Sequence, residues 1–133
     1  MRISALVINS GKSHEVRLST DDSSQSLHIP VKTSGNGSAV NGGELLMLAL
    51  ATCYCNDLYR EADRMGISLG RVEVEAHAEF AAMGLAASNI RYLARVESST
   101  TTEQVAALIR QTDAVAEVHN TIRAGVPVVL TES

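Results

Sequence analysis

The chain opens on alternating apolar and polar positions, and this alternation predicts three short strands. Arg2 to Ile8 is rich in apolar and β-branched residues and reads as the first. Asn9-Ser10-Gly11-Lys12-Ser13 is turn chemistry. His14 to Ser19 places Val16 and Leu18 on one face, Glu15 and Arg17 on the other. A turn at Asp21 to Ser24 leads to Gln25 to Val31, with Leu27, Ile29 and Val31 facing inward. Lys32 to Gly43 (KTSGNGSAVNGG) is a Gly/Ser/Asn loop, long enough to be a functional segment or a plain connector.

The period then changes. Glu44 to Met65 reads as one long helix, apolar on every side from Leu45 to Ala51 and charged on one side from Asp57 to Arg64, with Gly66 as its stop. Arg71 to Phe80 alternates again, with Val72, Val74, Ala76, Ala78 and Phe80 inward and Glu73, Glu75, His77 and Glu79 outward. A hairpin loop around Gly84 leads to Ser88 to Ser98, with Ile90, Tyr92, Ala94 and Val96 inward. Thr101 or Thr102 caps a second helix whose stripe is Val105, Leu108, Ile109 and Val115. Val126 to Leu130 reads as a last strand, after the turn Ala124-Gly125. The expected class is α+β in the order βββαββαβ, as one domain over residues 1–133. A single domain of this size has little material to wrap a helix on all sides, so the order implies a homodimer.

Composition narrows the functions. A net charge of -4 and a pI near 5.5 argue against nucleic acid or an anionic membrane surface as partner. Aromatics are 3% of the chain, too few for base-stacking platforms. Leu45 to Ala51, the longest apolar stretch, is too short to span a bilayer. MRISALVINS has no signal-peptide pattern, and two cysteines two residues apart make no disulfide framework, so a reducing cytoplasm is expected.

Those cysteines carry the candidate chemistry. On a helix Cys53 and Cys55 point about 200° apart, so they neither close a disulfide nor share a metal. Cys53 lies within about 40° of the line through Asp57, Arg60 and Arg64, at the edge between core and water. Cys55 lines up with Leu58, Tyr59 and Ala62, a core face where a thiol is inert. Reactivity needs a thiolate. Cys53 is too deep in the helix for its dipole to help, and Asp57 works against ionisation, so a cation is required. Arg17 and Arg60 both qualify. Of the histidines, His14, His28 and His77 fall on outward positions and His119 in a turn after the second helix. No pair has metal-ligand spacing, Gly35-Asn36-Gly37 is too short to cradle a phosphate, and no cofactor or metal is expected.

The stretch Asn41 to Asn56 (NGGELLMLALATCYCN) resembles the helix motif of the OsmC/Ohr family of osmotically inducible and organic hydroperoxide resistance proteins. The following DLYREADRMGISLGRVEVEAHAEF is similar to that family's helix exit and next strand, and VHNTIRAGVPV (Val118 to Val128) to the segment after its second cysteine. The resemblance implies an intertwined homodimer with two long central helices packed against antiparallel sheets. It implies a peroxidatic thiol at Cys53, oxidised to a sulfenic acid by an organic hydroperoxide. The resolving cysteine's position falls on Ala116, so an external thiol reductant is implied. The position of the glutamate that holds the family's arginine falls on Gly43, one residue and about 100° from Glu44. Cys53, Arg17 and Glu44 are therefore the catalytic candidates of an OsmC-like stress-response protein. A non-catalytic dimer that holds a small apolar molecule, or a purely structural protein, are the alternatives.

Overall fold

The computed structural model describes residues 1–132. The chain falls into two compact units, Met1–Leu45 and Leu46–Ser133.

In the first unit the alternating segments pair as expected. β1 (Ile3–Ser10) and β2 (Ser13–Thr20) form an antiparallel hairpin in register from Ile3 opposite Thr20 to Ser10 opposite Ser13. Gly11, at the first central position of the two-residue turn, has φ +59, a conformation open to glycine at no steric cost. β3 (Ser23–Ser26) pairs with β2, giving the order β1-β2-β3. This third strand is shorter than the alternation of Gln25 to Val31 implies. Pro30 has no N–H for a ladder, and its carbonyl accepts from Ala39 N instead (2.8 Å), which turns the chain away. Ile29 is still buried, but Leu27 is 39% exposed. The Gly/Ser/Asn loop is partly ordered by a bridge between Val31 and Ser38.

α1 (Gly42–Met65) begins two residues earlier than the periodicity predicts, because of its cap. Asn41 Oδ1 accepts from Glu44 N (2.8 Å), and Glu44 Oε1 accepts from Asn41 N (3.2 Å), a reciprocal capping box. The other end closes on Gly66 at φ +68, with Gly66 N donating to Asp63 O (3.2 Å) and Ile67 N to Ala62 O (2.8 Å). This six-to-one and five-to-two pair satisfies two terminal carbonyls.

In the second unit, α1 buries Leu50, Tyr54, Leu58 and Ala62, a stripe repeating every four residues. β4 (Val72–Glu79) and β5 (Ser88–Val96) pair antiparallel. Val72, Val74, Tyr92, Ala94 and Val96 pack on a core of Tyr54, Leu58, Ala62, Ile67, Leu108 and Ala116. Thr101 caps α2 (Thr102–Val115), its side chain accepting from Gln104 N (3.2 Å). Leu108 is fully buried.

Leu45 to Ala51 is not covered on all sides within one chain, as expected of a domain of this size; Leu48 is 54% exposed because a single core covers a single stripe. Three expectations are corrected here. Phe80 is exposed, since β4 ends at Glu79, one residue before it, after a register shift between His77 and Glu79. Residues 116–123 are not a turn: α3 (Glu117–Arg123) follows α2 directly and carries a buried His119. Val126 to Leu130 is not a strand, and Val128, Val129 and Leu130 are almost wholly exposed. β-branched propensity needs a partner edge to become a strand, and none among the described residues pairs with this segment. The observed order is βββαββαα.

Candidate functional site

Helical spacing puts Cys53, Asp57 and Arg60 on one line, four and three residues apart, and the side chains meet there. The Cys53 thiol, a weak donor, bonds to Asp57 Oδ2 at 3.5 Å. Arg60 Nη1 lies 3.0 Å from Asp57 Oδ1 and 3.5 Å from Glu117 Oε1, and Arg60 Nε donates to Glu61 Oε1 at 3.3 Å. Asp57 and Glu61 are buried, although their charge marks them in the sequence as part of a solvated face. One guanidinium facing both explains how the fold tolerates them.

The third carboxylate arrives from outside the helix. Ala116, fully buried, seats the α2–α3 junction in the core and delivers the start of α3 to Cys53. Cys53 Sγ, a carboxylate oxygen of Asp57 and one of Glu117 all lie within 4.8 Å of one another. Sulfur and two carboxylates are a donor set that suits zinc. Both carboxylates already face Arg60, so a bound cation would have to displace that guanidinium.

These neighbours set the protonation states. Burial, and then the Asp57 carboxylate, push the Cys53 thiol above its ordinary value; the Val118 backbone N–H works in the opposite direction. Burial and then Glu117 raise Asp57, while a backbone N–H and then Arg60 hold Glu117 low. Asp57 is therefore the member of the carboxyl pair that takes up a proton first. A thiol in this setting is protonated at neutral pH.

Beside this cluster the Tyr54, Tyr92 and His119 rings pack edge to face. Tyr92 and His119 centroids are 4.4 Å apart, Tyr54 and Tyr92 4.7 Å. Tyr54 Oη donates to Ile109 O (2.7 Å), Tyr92 Oη to Asp113 Oδ1, and Arg123 Nη2 holds the same Asp113 oxygen at 2.6 Å. Burial lifts the Tyr54 hydroxyl to about 12.

The other sequence candidates lie elsewhere. Arg17 is an exposed residue of β2, in the first unit, lining an open cleft with Glu15, His14 and His28. Glu44 is exposed and closes the α1 cap. Cys55 is half-buried, and Tyr59 on its face is 43% exposed, so that face is less enclosed than the pattern predicts. Two neighbours of this region were not read as such from the sequence: Glu117, which was not singled out, and His119, which was expected in a turn. The resemblance offered a signal for the first, because it set Ala116 where a partner of Cys53 belongs and Glu117 follows directly.

A long helix with a cysteine at the edge of a buried core, a strand pair on one side and a second helical segment at the sulfur, defines a class of small α+β thiol proteins. The family model described as OsmC-like protein matches residues 35–131, and the chain belongs to the OsmC-like family. No curated protein sequence matches it. Among solved structures it is similar to an OsmC-like protein from Mycoplasma pneumoniae (TM-score 0.65, 13% identity, covering 92% of this chain and 86% of that one). It is also similar to an organic hydroperoxide resistance protein from Elizabethkingia anophelis with thiocyanate bound (0.64, 18%, 92% and 89%). A third is an organic hydroperoxide resistance protein, OsmC, from Legionella pneumophila (0.57, 19%, 90% and 89%). At these identities the likeness is one of fold.

Proposed function

We propose that the protein is a one-cysteine, thiol-dependent reductase of organic hydroperoxides, working as a homodimer. The observation that carries this reading is the Cys53 thiol, half-buried at the α2–α3 junction with its proton directed at Asp57. The sulfur attacks the outer oxygen of the hydroperoxide. An S–O bond forms, the O–O bond breaks, and the thiol proton passes by way of Asp57 to the departing alkoxide, which leaves as an alcohol. Cys53 is left as a sulfenic acid. With Ala116 at the resolving position, an external thiol forms a mixed disulfide and releases water. A second external thiol then restores Cys53 and leaves as the external disulfide.

Arg60 spends its charge on Asp57, Glu61 and Glu117, so it is a poor activator of the sulfur. Arg17 is the activating cation in this reading, and Glu44 sets the start of the helix that carries Cys53. In a dithiothreitol-coupled assay with cumene hydroperoxide, Cys53→Ser loses turnover and Cys55→Ser keeps it. A dimedone adduct forms on Cys53 and not on Cys55. Turnover that survives in Cys53→Ser removes the proposal.

Exposed apolar surface supports the dimer. Leu48, Val128, Val129 and Leu130 are each more than half exposed, and a partner copy is the natural cover for such side chains. The cytoplasm, where thiols stay reduced, is the compartment that suits this chemistry. Sedimentation equilibrium is expected to give twice the 14.1 kDa chain mass, and a monomer at micromolar concentration contradicts it.

A second reading is favoured by the setting of the Cys53 thiol, half-buried and donating to Asp57, where burial pushes its pKa up. A protonated sulfur suits a wall of a binding site, and the protein is then a dimer that holds a small apolar molecule without turning it over. Ligand retention unchanged in Cys53→Ala, with no peroxide consumed by the unaltered protein, selects this reading.

A further inference from the structure

Cys53 Sγ, one carboxylate oxygen of Asp57 and one of Glu117 come within 4.8 Å of one another where two elements, α1 and α3, converge. Among the described residues, no other group of three or more His, Cys, Asp or Glu side chains meets in this way. The three differ in their freedom. Asp57 is 5% exposed and Cys53 half-buried, so both are fixed by the fold. The Glu117 side chain is 67% exposed and has room to adjust.

We propose that this cluster binds a zinc ion through the Cys53 thiolate and the Asp57 and Glu117 carboxylates, with water in the fourth position. Geometry comes first. Zinc takes sulfur at about 2.3 Å and carboxylate oxygen at about 2.0–2.2 Å, so the edges of its tetrahedron span roughly 3.3–3.7 Å. Cys53 Sγ and Asp57 Oδ2 are already 3.5 Å apart. Rotation of the exposed Glu117 side chain closes the rest. Donor chemistry selects the metal. A thiolate is a poor ligand for magnesium or calcium, and two carboxylates beside a single sulfur do not suit copper(I), which leaves zinc. Arg60 is the competitor, since it faces both carboxylates. It has somewhere to go: its Nε already donates to Glu61 Oε1 at 3.3 Å, and its side chain is 41% exposed. Swung outward, it keeps Glu61 and frees the other two. Binding exchanges the thiol proton, released to solvent, for the metal. Zinc then shields the sulfur from peroxide and acts as an inhibitor. That consequence rests on the reductase reading; the binding itself does not.

The test titrates the full-length, metal-free protein with zinc against a chromophoric chelator, and with cobalt(II) as a spectroscopic stand-in. One zinc per chain is expected, with a Kd on the order of micromolar, together with a sulfur-to-cobalt charge-transfer band. Cys53→Ser abolishes the band and Cys55→Ser keeps it. Glu117→Gln, at an exposed side chain, weakens zinc binding about tenfold or more. Arg60→Gln removes the competing cation and tightens it. Zinc also slows iodoacetamide labelling of Cys53 and leaves that of Cys55 unchanged. The site is overturned if zinc binding does not saturate, or if band and affinity survive in Cys53→Ser. Unchanged affinity in Glu117→Gln overturns the ligand set. The inhibitory role is read separately, in the hydroperoxide assay: zinc stops turnover and a chelator restores it. Turnover that continues in saturating zinc overturns that role. A metal-free protein without turnover sinks the reductase reading instead, and the zinc titration still decides the site.

Discussion

Leu108→Ala is expected to lower the unfolding free energy by about 2–5 kcal/mol. Leu108 is 0% exposed and meets Tyr54, Leu58, Ala62, Ile67 and Ala116 in one cluster. Those neighbours come from α1, from the chain after it and from the α2–α3 junction, so no one element can move to close the void. Two of them, Tyr54 and Ala116, also fix the corner that presents Cys53 and Glu117 to each other. The cost is a large fraction of the roughly 5–15 kcal/mol that holds a domain of this kind together. Urea unfolding at one fixed protein concentration measures it, because the stability of a chain that self-associates depends on concentration. Met83→Ala, at a fully exposed loop position, is the control and stays within about 0.5 kcal/mol. A Leu108→Ala loss no larger than the control would mean that this cluster is not the core of the unit.

The second large effect is on the reactivity of the sulfur. Cys53 is held above the ordinary thiol range by burial first and by Asp57 next, through both its charge and its hydrogen bond. Iodoacetamide labelling of Cys53 is therefore expected to be slow at neutral pH and to keep rising with pH beyond the range in which a free thiol levels off. Asp57→Asn removes the nearest negative charge and leaves Arg60 in place. Each unit by which the thiol pKa falls gives about ten times more thiolate at a pH well below it. Labelling at pH 7 is expected to accelerate on the order of tenfold in this variant. Glu117→Gln, whose influence on Cys53 is the smallest of those acting, gives a lesser acceleration. In the peroxidase reading the same Asp57→Asn change slows turnover despite the greater thiolate fraction, because the proton acceptor is gone. In the binding reading there is no turnover to slow. Labelling that is already fast at neutral pH in the unaltered protein would contradict the placement of Asp57 at the sulfur.

Much of the architecture was legible in the order of residues because its signals are local. The two-residue alternation of Ile3 to Thr20 and of Val72 to Val96, and the capped helix between them, each depend on neighbours a few residues away. The line from Cys53 to Asp57 and Arg60 was readable for the same reason: three and four residues are one helical turn. Errors arose where a local signal needed a distant partner to be realised. Val126 to Leu130 has the composition of a strand, but a strand exists by pairing. Gln25 to Val31 alternates well, yet Pro30 and its bond from Ala39 N end the ladder early.

What the order of residues determined by itself is the hairpin strands, the long helix, the strand pair and the helix after it, and the one sulfur that faces an acid one turn along. Only the tertiary structure decided what that sulfur meets. Glu117 and the Val118 N–H lie more than sixty positions away in the chain and reach Cys53 because Ala116 is buried against the same core as Tyr54 and Leu58. Burial also turned Asp57 and Glu61 from surface charges into enclosed ones, and His119 from a turn residue into an imidazole with no hydrogen-bond partner among the described residues. The physical reason is that a thiol's ionisation responds to desolvation and to charges a few ångströms away. Those distances are set by how helices pack and not by their separation along the chain.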